Sequence, residues 1–241
     1  YLYAFDEYKN ATVVHIKSMV IKNNGCVEWA GAIHEDFKEI RKTNIKFLKD
    51  IKRIHFTNPD RIEVARHRNY KISKEDVKRR PNDPRAWWNL GNAAKAEDKD
   101  DEAIDAINKF LVMSESEEEK YIARLRLAEI YFNKKDFAKA VDMCNYAIGL
   151  RSNYPDAYRV KGEILYNMHR LEEARDTFIQ CLTTVVIHGT PRYRIIVYNP
   201  RDYDYVPLMW LVRVYFELSE PVMALPLLEK CIEVMPRNED L

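Results

Sequence analysis

His34, Glu35 and His55 are the residues in the first third of the chain whose side chains could do acid–base or phosphate chemistry. His34 and Glu35 directly follow the apolar run 27–33, and His55 lies in the short apolar run 51–56. A carboxylate at the end of a strand can take the proton from a reacting hydroxyl, and a histidine beside it can orient either group. The alternative interpretation is structural: Glu35 caps a following helix, and each histidine is a hydrogen-bonded surface residue.

The elements that would position these side chains form a small mixed segment. Residues 12–21 and 27–33 are rich in Val and Ile, and the Asn-Asn-Gly sequence at 23–25 lies between them. Asn and Gly supply the positive φ that a tight turn requires, so the pattern predicts a β-hairpin. The charged stretch 36–42 is predicted to be helical or looped.

A short strand at 51–56 and a helix at 61–80 complete this segment, and Pro81 ends the helix. Two or three strands cannot form an independent sheet of normal size. Residues 1–80 are therefore predicted to be the end of a larger mixed domain, in which only a small α/β remnant lies within this chain.

The remainder of the chain, residues 81–241, contains an internal repeat. An alanine at a predicted helix start recurs at spacings of 37 and 34 residues, and a small residue lies twelve positions before each one. Small residues let two antiparallel helices approach closely, and the large side chains around them fill the seam. The alanines are Ala103, Ala140 and Ala174, the small residues are Gly91, Ala128 and Gly162, and the residues four positions after each alanine are Ile107, Cys144 and Phe178.

This pattern resembles the tetratricopeptide repeat (TPR), a helical hairpin of about 34 residues. A fourth copy is centred on Ala224 and follows an insertion at 183–205, which is expected to be partly non-helical. Lys161 departs from the pattern, since the family prefers Leu there, and Pro226 is tolerable only near the first turn of the last helix. The resemblance predicts a mainly α, TPR-like array with buried repeat alanines and a protein partner on its concave face.

Some TPR members bind a terminal carboxylate through Lys, Arg and Asn at set positions of the first helices. Asn92 fits one such position, but Glu129 and Glu163 occupy its equivalents in the next two repeats. A carboxylate clamp is therefore disfavoured, and Trp87 and Trp88 are predicted to pack in the core rather than to form a ligand cage.

Residues 1–80 carry a second resemblance, to family 2 glycosyltransferases of the lipopolysaccharide and peptide-modifying type. The sequence WAGAIHE at 29–35 is similar to their Trp-x-Gly-x-(Val/Ile)-His-Glu motif. Arg-Asn at 68–69, Pro-x-Asp-Pro-Arg at 81–85 and Tyr-Asp-x-x-Pro at 203–207 follow in the order seen in the family. Many members continue directly into TPR repeats, so the resemblance covers essentially the whole chain.

The glycosyltransferase resemblance implies a GT-A-type fold in which Glu35 is the catalytic base, His34 orients it and His55 contacts the diphosphate or the metal. The full enzyme would use a nucleotide-sugar donor, Mn²⁺ or Mg²⁺, and a glycan or protein acceptor. No Asp-x-Asp motif precedes Trp29, so the donor site is expected upstream of Tyr1, and this fragment alone is expected to be inactive with nothing bound. The alternative function is a non-catalytic TPR scaffold that mediates protein–protein interaction.

Composition narrows the classes of function further. Residues 1–80 carry a net charge of +7 and the rest −6, giving +1 overall, and no nucleic-acid-binding motif accompanies the basic part. No stretch is long and apolar enough to predict a transmembrane helix. The four cysteines lack metal-ligand spacing, and three of them fall on apolar helical positions, which predicts buried, reduced thiols in a cytoplasmic protein.

Overall fold

The structure, a computed structural model, describes the helical part of the chain and five short strands that precede it. The chain divides into two compact units, Tyr1–Tyr3 with His15–Glu115 and Ala4–Val14 with Ser116–Leu241. The sequence places a domain boundary between residues 80 and 81, where the glycosyltransferase-like segment ends and the repeats begin. This boundary stays a prediction. The described residues are 2–5, 11–15, 27–30, 36–39, 53–54, 59–188 and 203–234.

The strands that precede the helices are two to five residues long. They are β1 (Leu2–Phe5), β2 (Ala11–His15), β3 (Val27–Ala30), β4 (Asp36–Glu39) and β5 (Arg53–Ile54). β1 and β5 pair in parallel, with Leu2 opposite Arg53. β3 and β4 pair antiparallel, with Val27 opposite Glu39 and Ala30 opposite Asp36.

Two predictions for this segment are wrong. β3 pairs with β4, whereas β2 belongs to the sheet of β1 and β5, and a strand occupies 36–39, where a helix or a loop is predicted. The register sets Trp29 opposite Phe37, and aromatic cross-strand pairs favour antiparallel pairing. β5 lies within the strand predicted at 51–56. Strands this short give no support to the predicted GT-A-type remnant.

The helices of the first unit are α1 (Pro59–Arg79), α2 (Pro84–Ala96) and α3 (Asp100–Met113). α2 and α3 form a helical hairpin, and α1 packs against α2. Asp83 caps α2 by accepting a hydrogen bond from the Arg85 amide, and Pro84 occupies the first turn, where its missing N–H costs nothing. Polar contacts also hold α1 to the hairpin: Lys74 pairs with Glu102 at 3.3 Å, and the Tyr70 hydroxyl donates to the same carboxylate.

The second unit contains three further hairpins, which makes the described chain mainly helical. Within this unit, each second helix except the last also packs against the first helix of the next hairpin. Ser116 and Asp136 cap α4 and α5 by accepting hydrogen bonds from the amides of Glu119 and Lys139. The helices are α4 (Glu117–Asn133), α5 (Phe137–Leu150), α6 (Asp156–Asn167), α7 (Leu171–His188), α8 (Tyr205–Glu217) and α9 (Pro221–Val234).

The seam inside each hairpin is built as the repeat pattern predicts. The four repeat alanines, Ala103, Ala140, Ala174 and Ala224, are each fully buried. A Cβ atom added to Gly91 would lie 2.6 Å from Cγ1 of Ile107, so the close approach of α2 and α3 requires glycine at this position. The prediction of antiparallel hairpins with buried alanines is confirmed.

Every hairpin turns through the same backbone conformation. Asp98, Lys135, His169 and Ser219 have φ between 56° and 61°, and each lies two residues beyond the end of a first helix. The amide of the residue after each one donates to a carbonyl near the helix end, as in Lys99 to Ala94 and Asp136 to Tyr131. This is the Schellman motif, which satisfies the carbonyls left open at a helix end.

The insertion predicted at 183–205 is helical over its first six residues, because α7 continues to His188. The hydroxyls of Thr183 and Thr184 donate to the carbonyls of Ile179 and Gln180 one turn earlier. This back-bonding satisfies the threonine hydroxyls inside the helix. Residues 189–202 lie outside the described part of the chain.

Candidate protein-binding surface

The residues predicted to carry glycosyl transfer, His34, Glu35 and His55, lie outside the described residues, so their roles stay predictions. Within the described ranges, no group of three or more His, Cys, Asp or Glu side chains is arranged to hold a metal ion. In the same part of the chain, no helix combines the length and the apolar character needed to cross a membrane.

The first helices of the second unit, α4, α6 and α8, are the helices that would line the concave face predicted from the TPR resemblance. α6 contacts both α4 and α8, so the three helices are neighbours. Their side chains at helical spacing form one stripe on each helix, which we call the first-helix surface. Its members are Arg126, Glu129 and Asn133 on α4, Arg159, Glu163 and Tyr166 on α6, and Arg213, Phe216 and Glu217 on α8.

Ion pairs within each helix neutralise Arg126 of α4 and Arg159 of α6. Nη1 of Arg126 lies 2.7 Å from Glu129, and Nη1 of Arg159 lies 2.5 Å from Glu163. These two glutamates occupy the positions where a carboxylate clamp would carry Asn or a cation. A free carboxylate would therefore meet an acidic side chain at both positions, which is the reason the sequence disfavours a carboxylate clamp.

Asn92, on α2 of the first unit, is also engaged within its own helix. Its Nδ2 donates to the carbonyl of Trp88 at 2.9 Å. The Trp88 ring packs against Phe110 with centroids 5.1 Å apart, and Nε1 of Trp87 donates to the Pro81 carbonyl at 2.7 Å. Both tryptophans make contacts within the first unit, but each is half-buried and does not lie in the core, where the sequence predicts it.

An aromatic cluster joins α6 to α8 in the second unit. The rings of Tyr166 and Trp210 meet edge to face with centroids 5.1 Å apart, and the Tyr166 hydroxyl donates to Glu217. This hydrogen bond and partial burial raise the pKa of Tyr166. The guanidinium of Arg213 lies over the Trp210 ring at 5.0 Å, and the Phe216 side chain is 53% exposed. The cluster thus presents a fixed arginine and an open aromatic ring to solvent.

Cys144 on α5 lies in the core cluster that also contains Ala128 of α4 and Ile164 of α6. Burial raises the pKa of its thiol to about 12, against smaller opposing effects of Lys161 and Arg159, and Glu163 and Glu129 raise it further. Cys181, also buried, has its pKa raised to about 12 for the same main reason. Cys144, Cys181 and Cys231 are free and buried, so these three thiols have the burial that the sequence predicts.

Sequence reasoning missed the aromatic cluster and the paired arginines. The signal was available in part: arginine precedes glutamate by three or four residues on both α4 and α6, which is the spacing of a helical ion pair. The stacking of Arg213 on Trp210 and the contact of Tyr166 with Glu217 depend on how α6 meets α8.

Comparisons with known proteins agree with the helical architecture. Residues 69–181, just under half of the chain, match the family described as anaphase-promoting complex, cyclosome, subunit 3. RNA polymerase II-associated protein 3 of Rattus norvegicus is 32% identical over 92 residues, which are 38% of this chain and 14% of that protein. The chain therefore matches only a small part of this curated relative.

Two solved structures show the same fold. The structure of MamA has a TM-score of 0.57 at 17% identity, covering 74% of this chain and 95% of that one. The structure of YrrB, described as a TPR protein with an unusual peptide-binding site, has a TM-score of 0.51 at 18% identity, covering 73% of this chain and 81% of that one. The described helices are a TPR-type helical repeat array.

Proposed function

We propose that the helices form a protein-binding module whose binding face is the first-helix surface of α4, α6 and α8. The observation that carries the proposal is the aromatic cluster, in which Arg213 stacks on Trp210 beside the exposed ring of Phe216. Tryptophan, tyrosine and arginine are the residue types that dominate the energetics of protein interfaces. A cluster of these types at a solvent-exposed helix face is suited to anchor a partner's side chain.

The charges of the surface restrict the ligand further. Arg126 and Arg159 are neutralised by Glu129 and Glu163, so affinity for a bare carboxylate terminus is not expected. Side chains of a peptide would instead contact Phe216 through apolar area and Arg213 through a hydrogen-bond acceptor. An internal segment that carries an aromatic or aliphatic residue near an acidic or amide residue is the proposed ligand.

The comparisons support this proposal at the level of fold. The matched family is named for a subunit of a multiprotein complex, and YrrB is described as having a peptide-binding site. Both descriptions concern those proteins, and the proposal for this chain rests on its own surface.

The test is selection of peptides from a random phage-displayed library against the chain, followed by affinity measurement on variants. We expect Phe216→Ala and Arg213→Ala to weaken the selected peptides by at least about tenfold, as for interface hot spots. The control is Ile179→Ala, which truncates a side chain on the second helix α7 that is 41% exposed. Equal binding to all four proteins would contradict the assignment of the surface.

The glycosyltransferase resemblance of residues 1–80 stands as a separate proposal based on sequence motifs, and the comparisons support the interaction module better. It assigns proton abstraction to Glu35, with His34 orienting it, and nucleotide-sugar and Mn²⁺ or Mg²⁺ binding to a complete enzyme. This chain incubated with nucleotide sugars and Mn²⁺ is expected to show no transfer. In a complete enzyme, Glu35→Gln should lower kcat by about 10²–10⁴ while the protein stays folded, because Gln cannot accept a proton.

A further inference from the structure

Arg213 differs from the other two arginines of the first-helix surface in how its charge is satisfied. Arg126 and Arg159 each form an ion pair with a glutamate of their own helix, three and four residues further along. Glu217 lies four residues after Arg213 on α8, which is the spacing of the pair between Arg159 and Glu163. Yet no carboxylate of the described residues forms an ion pair with Arg213.

Tyr166 on α6 supplies the reason. Its hydroxyl donates a hydrogen bond to the Glu217 carboxylate, so this glutamate is engaged by a neighbouring helix instead of by the arginine of its own helix. The guanidinium of Arg213 lies over the Trp210 ring, 5.0 Å from the centroid, and the Arg213 side chain is exposed. Tyr166 therefore holds the one glutamate of α8 that has the spacing to neutralise Arg213.

The phenol of Tyr166 can keep this role at neutral pH. The hydrogen bond to Glu217 raises the pKa of Tyr166 above its ordinary value of 10.0, and partial burial and the negative charge of Glu217 raise it further. Arg213 opposes these effects through its own charge. The phenol thus retains its proton at pH 7 and donates it to Glu217, and Arg213 keeps an uncompensated positive charge at the surface.

Given the proposed function, on which this inference rests, we infer that the first-helix surface selects peptides with a single ionised Asp or Glu side chain. This acidic side chain would bind Arg213, beside the apolar residue that contacts Phe216. Tyr166 is the positioning residue that keeps Arg213 available. A hydrogen bond between guanidinium and carboxylate is stronger than one between guanidinium and an amide, which narrows the ligand from acidic or amide to acidic. Glu217 lies one turn from Arg213, so a second acidic residue in the peptide would meet a like charge.

The probe is the tightest peptide selected from the random library, compared with a copy in which its Asp or Glu is replaced by the corresponding amide. Isothermal titration calorimetry on the whole chain should show the acidic peptide binding at least about fivefold more tightly. Tyr166→Phe keeps the ring and removes only the hydroxyl, which frees Glu217 to pair with Arg213. The preference for the acidic peptide should then fall below about twofold.

A second substitution separates positioning from a merely structural role. Glu217→Gln in the Tyr166→Phe background removes the competing carboxylate, so the preference for the acidic peptide should return to at least about fivefold. The matched control is Tyr146→Phe on α5, which removes the hydroxyl of a tyrosine that is 59% exposed and lies outside the first-helix surface. It should keep the full preference. Circular dichroism melts check that each variant is folded.

Several outcomes would overturn the inference. Selected peptides without an acidic residue, or equal affinity for the acidic and amide copies, would show that Arg213 does not select charge. The proposed function would still stand in that case if Phe216→Ala weakened both peptides. A preference that Tyr166→Phe leaves unchanged would remove Tyr166 as the positioning residue. Binding that neither Phe216→Ala nor Arg213→Ala weakens, or failure to select any peptide, would instead refute the proposed function itself.

Discussion

Gly162 on α6 lies directly against the ring of Phe178 on α7. A Cβ atom added to Gly162 would be 2.6 Å from Cε1 and 2.7 Å from Cζ of that ring, well inside van der Waals contact. Phe178 is fully buried and stacks in parallel with Trp210, with centroids 6.2 Å apart, so the ring has no open space to move into. The glycine is thus required by close approach and not by its backbone freedom.

Replacement of Gly162 by alanine should therefore destabilise the protein. Overpacking of a filled core costs about 1–3 kcal/mol, and the helix-propensity gain of about 1 kcal/mol offsets only part of it. The matched control is Gly149→Ala on α5, where an added Cβ meets nothing within 4 Å, so stability should rise by about 0.5–1 kcal/mol. Urea denaturation of both variants measures the difference.

A double variant shows whether Phe178 is the cause. In the Phe178→Leu background, Gly162→Ala should cost at least about 1 kcal/mol less than in the unaltered chain, because leucine leaves room for the added methyl group. Additive effects of the two substitutions would mean that another contact is responsible.

Pro226 lies in the second turn of α9, five residues after the helix begins at Pro221. A proline is expected to be tolerated only in the first turn of a helix, and this one lies just beyond it. Because proline donates no hydrogen bond, the carbonyl of Val222 loses its helical partner. Pro226→Ala should raise the free energy of unfolding by about 1–3 kcal/mol. Pro221→Ala, at the first helical position, should change it by less than about 0.5 kcal/mol, and a larger effect there would refute the argument.

Lys135 holds a left-handed backbone with φ of 61° at the turn between α4 and α5. A residue with a Cβ atom pays roughly 1–2 kcal/mol to adopt this conformation, and glycine does not. Glycine instead loses more conformational entropy on folding, which costs about 0.5–1 kcal/mol. Lys135→Gly should therefore stabilise the protein by up to about 1 kcal/mol. Lys134 has φ of −73° and ψ of −2°, so Lys134→Gly should destabilise it by a similar amount. Thermal melts of the pair would disprove the account if both variants shifted in the same direction.

The buried thiol of Cys144 should make the free energy of unfolding depend on pH in the alkaline range. Burial raises the pKa of Cys144 from the ordinary 9.0 to about 12. The unfolded chain loses this proton first, so the stabilisation is complete below pH 9 and is lost as the pH rises towards 12. The loss is at most about 1.4 kcal/mol per pH unit for one thiol. Between pH 9 and 10, Cys144→Ala should show a shallower decline in unfolding free energy than the unaltered chain, and identical slopes would contradict the shift.

The same thiols should resist alkylation. At pH 8 almost no thiolate forms at Cys144 or Cys181, because both pKa values are about 12 and both side chains are buried. Iodoacetamide followed by peptide mass spectrometry should leave these two residues unmodified in the folded protein and modify them in urea.

The helical hairpins of this protein follow from its amino-acid sequence alone. Gly91 faces the large side chain of Ile107, and Gly162 faces that of Phe178. The spacing between the small and the large residue is the same in both hairpins, so the sequence is enough to predict the seam. The buried alanines follow from the same spacing. The free, buried cysteines follow as well, because they stand at seam positions.

The turns, the strand pairing and the binding surface depend instead on tertiary contacts. The left-handed turn residues are Asp98, Lys135, His169 and Ser219, none of them glycine, so no local signal marks them, and the hydrogen bonds that close each hairpin impose the conformation. Arg213 and Tyr166 become one cluster because α6 and α8 pack side by side, although 47 residues separate them in sequence. The spacing of residues along the sequence predicts which side chains of a helix face its hairpin partner. The contacts between helices that are not adjacent in sequence depend on how the hairpins stack.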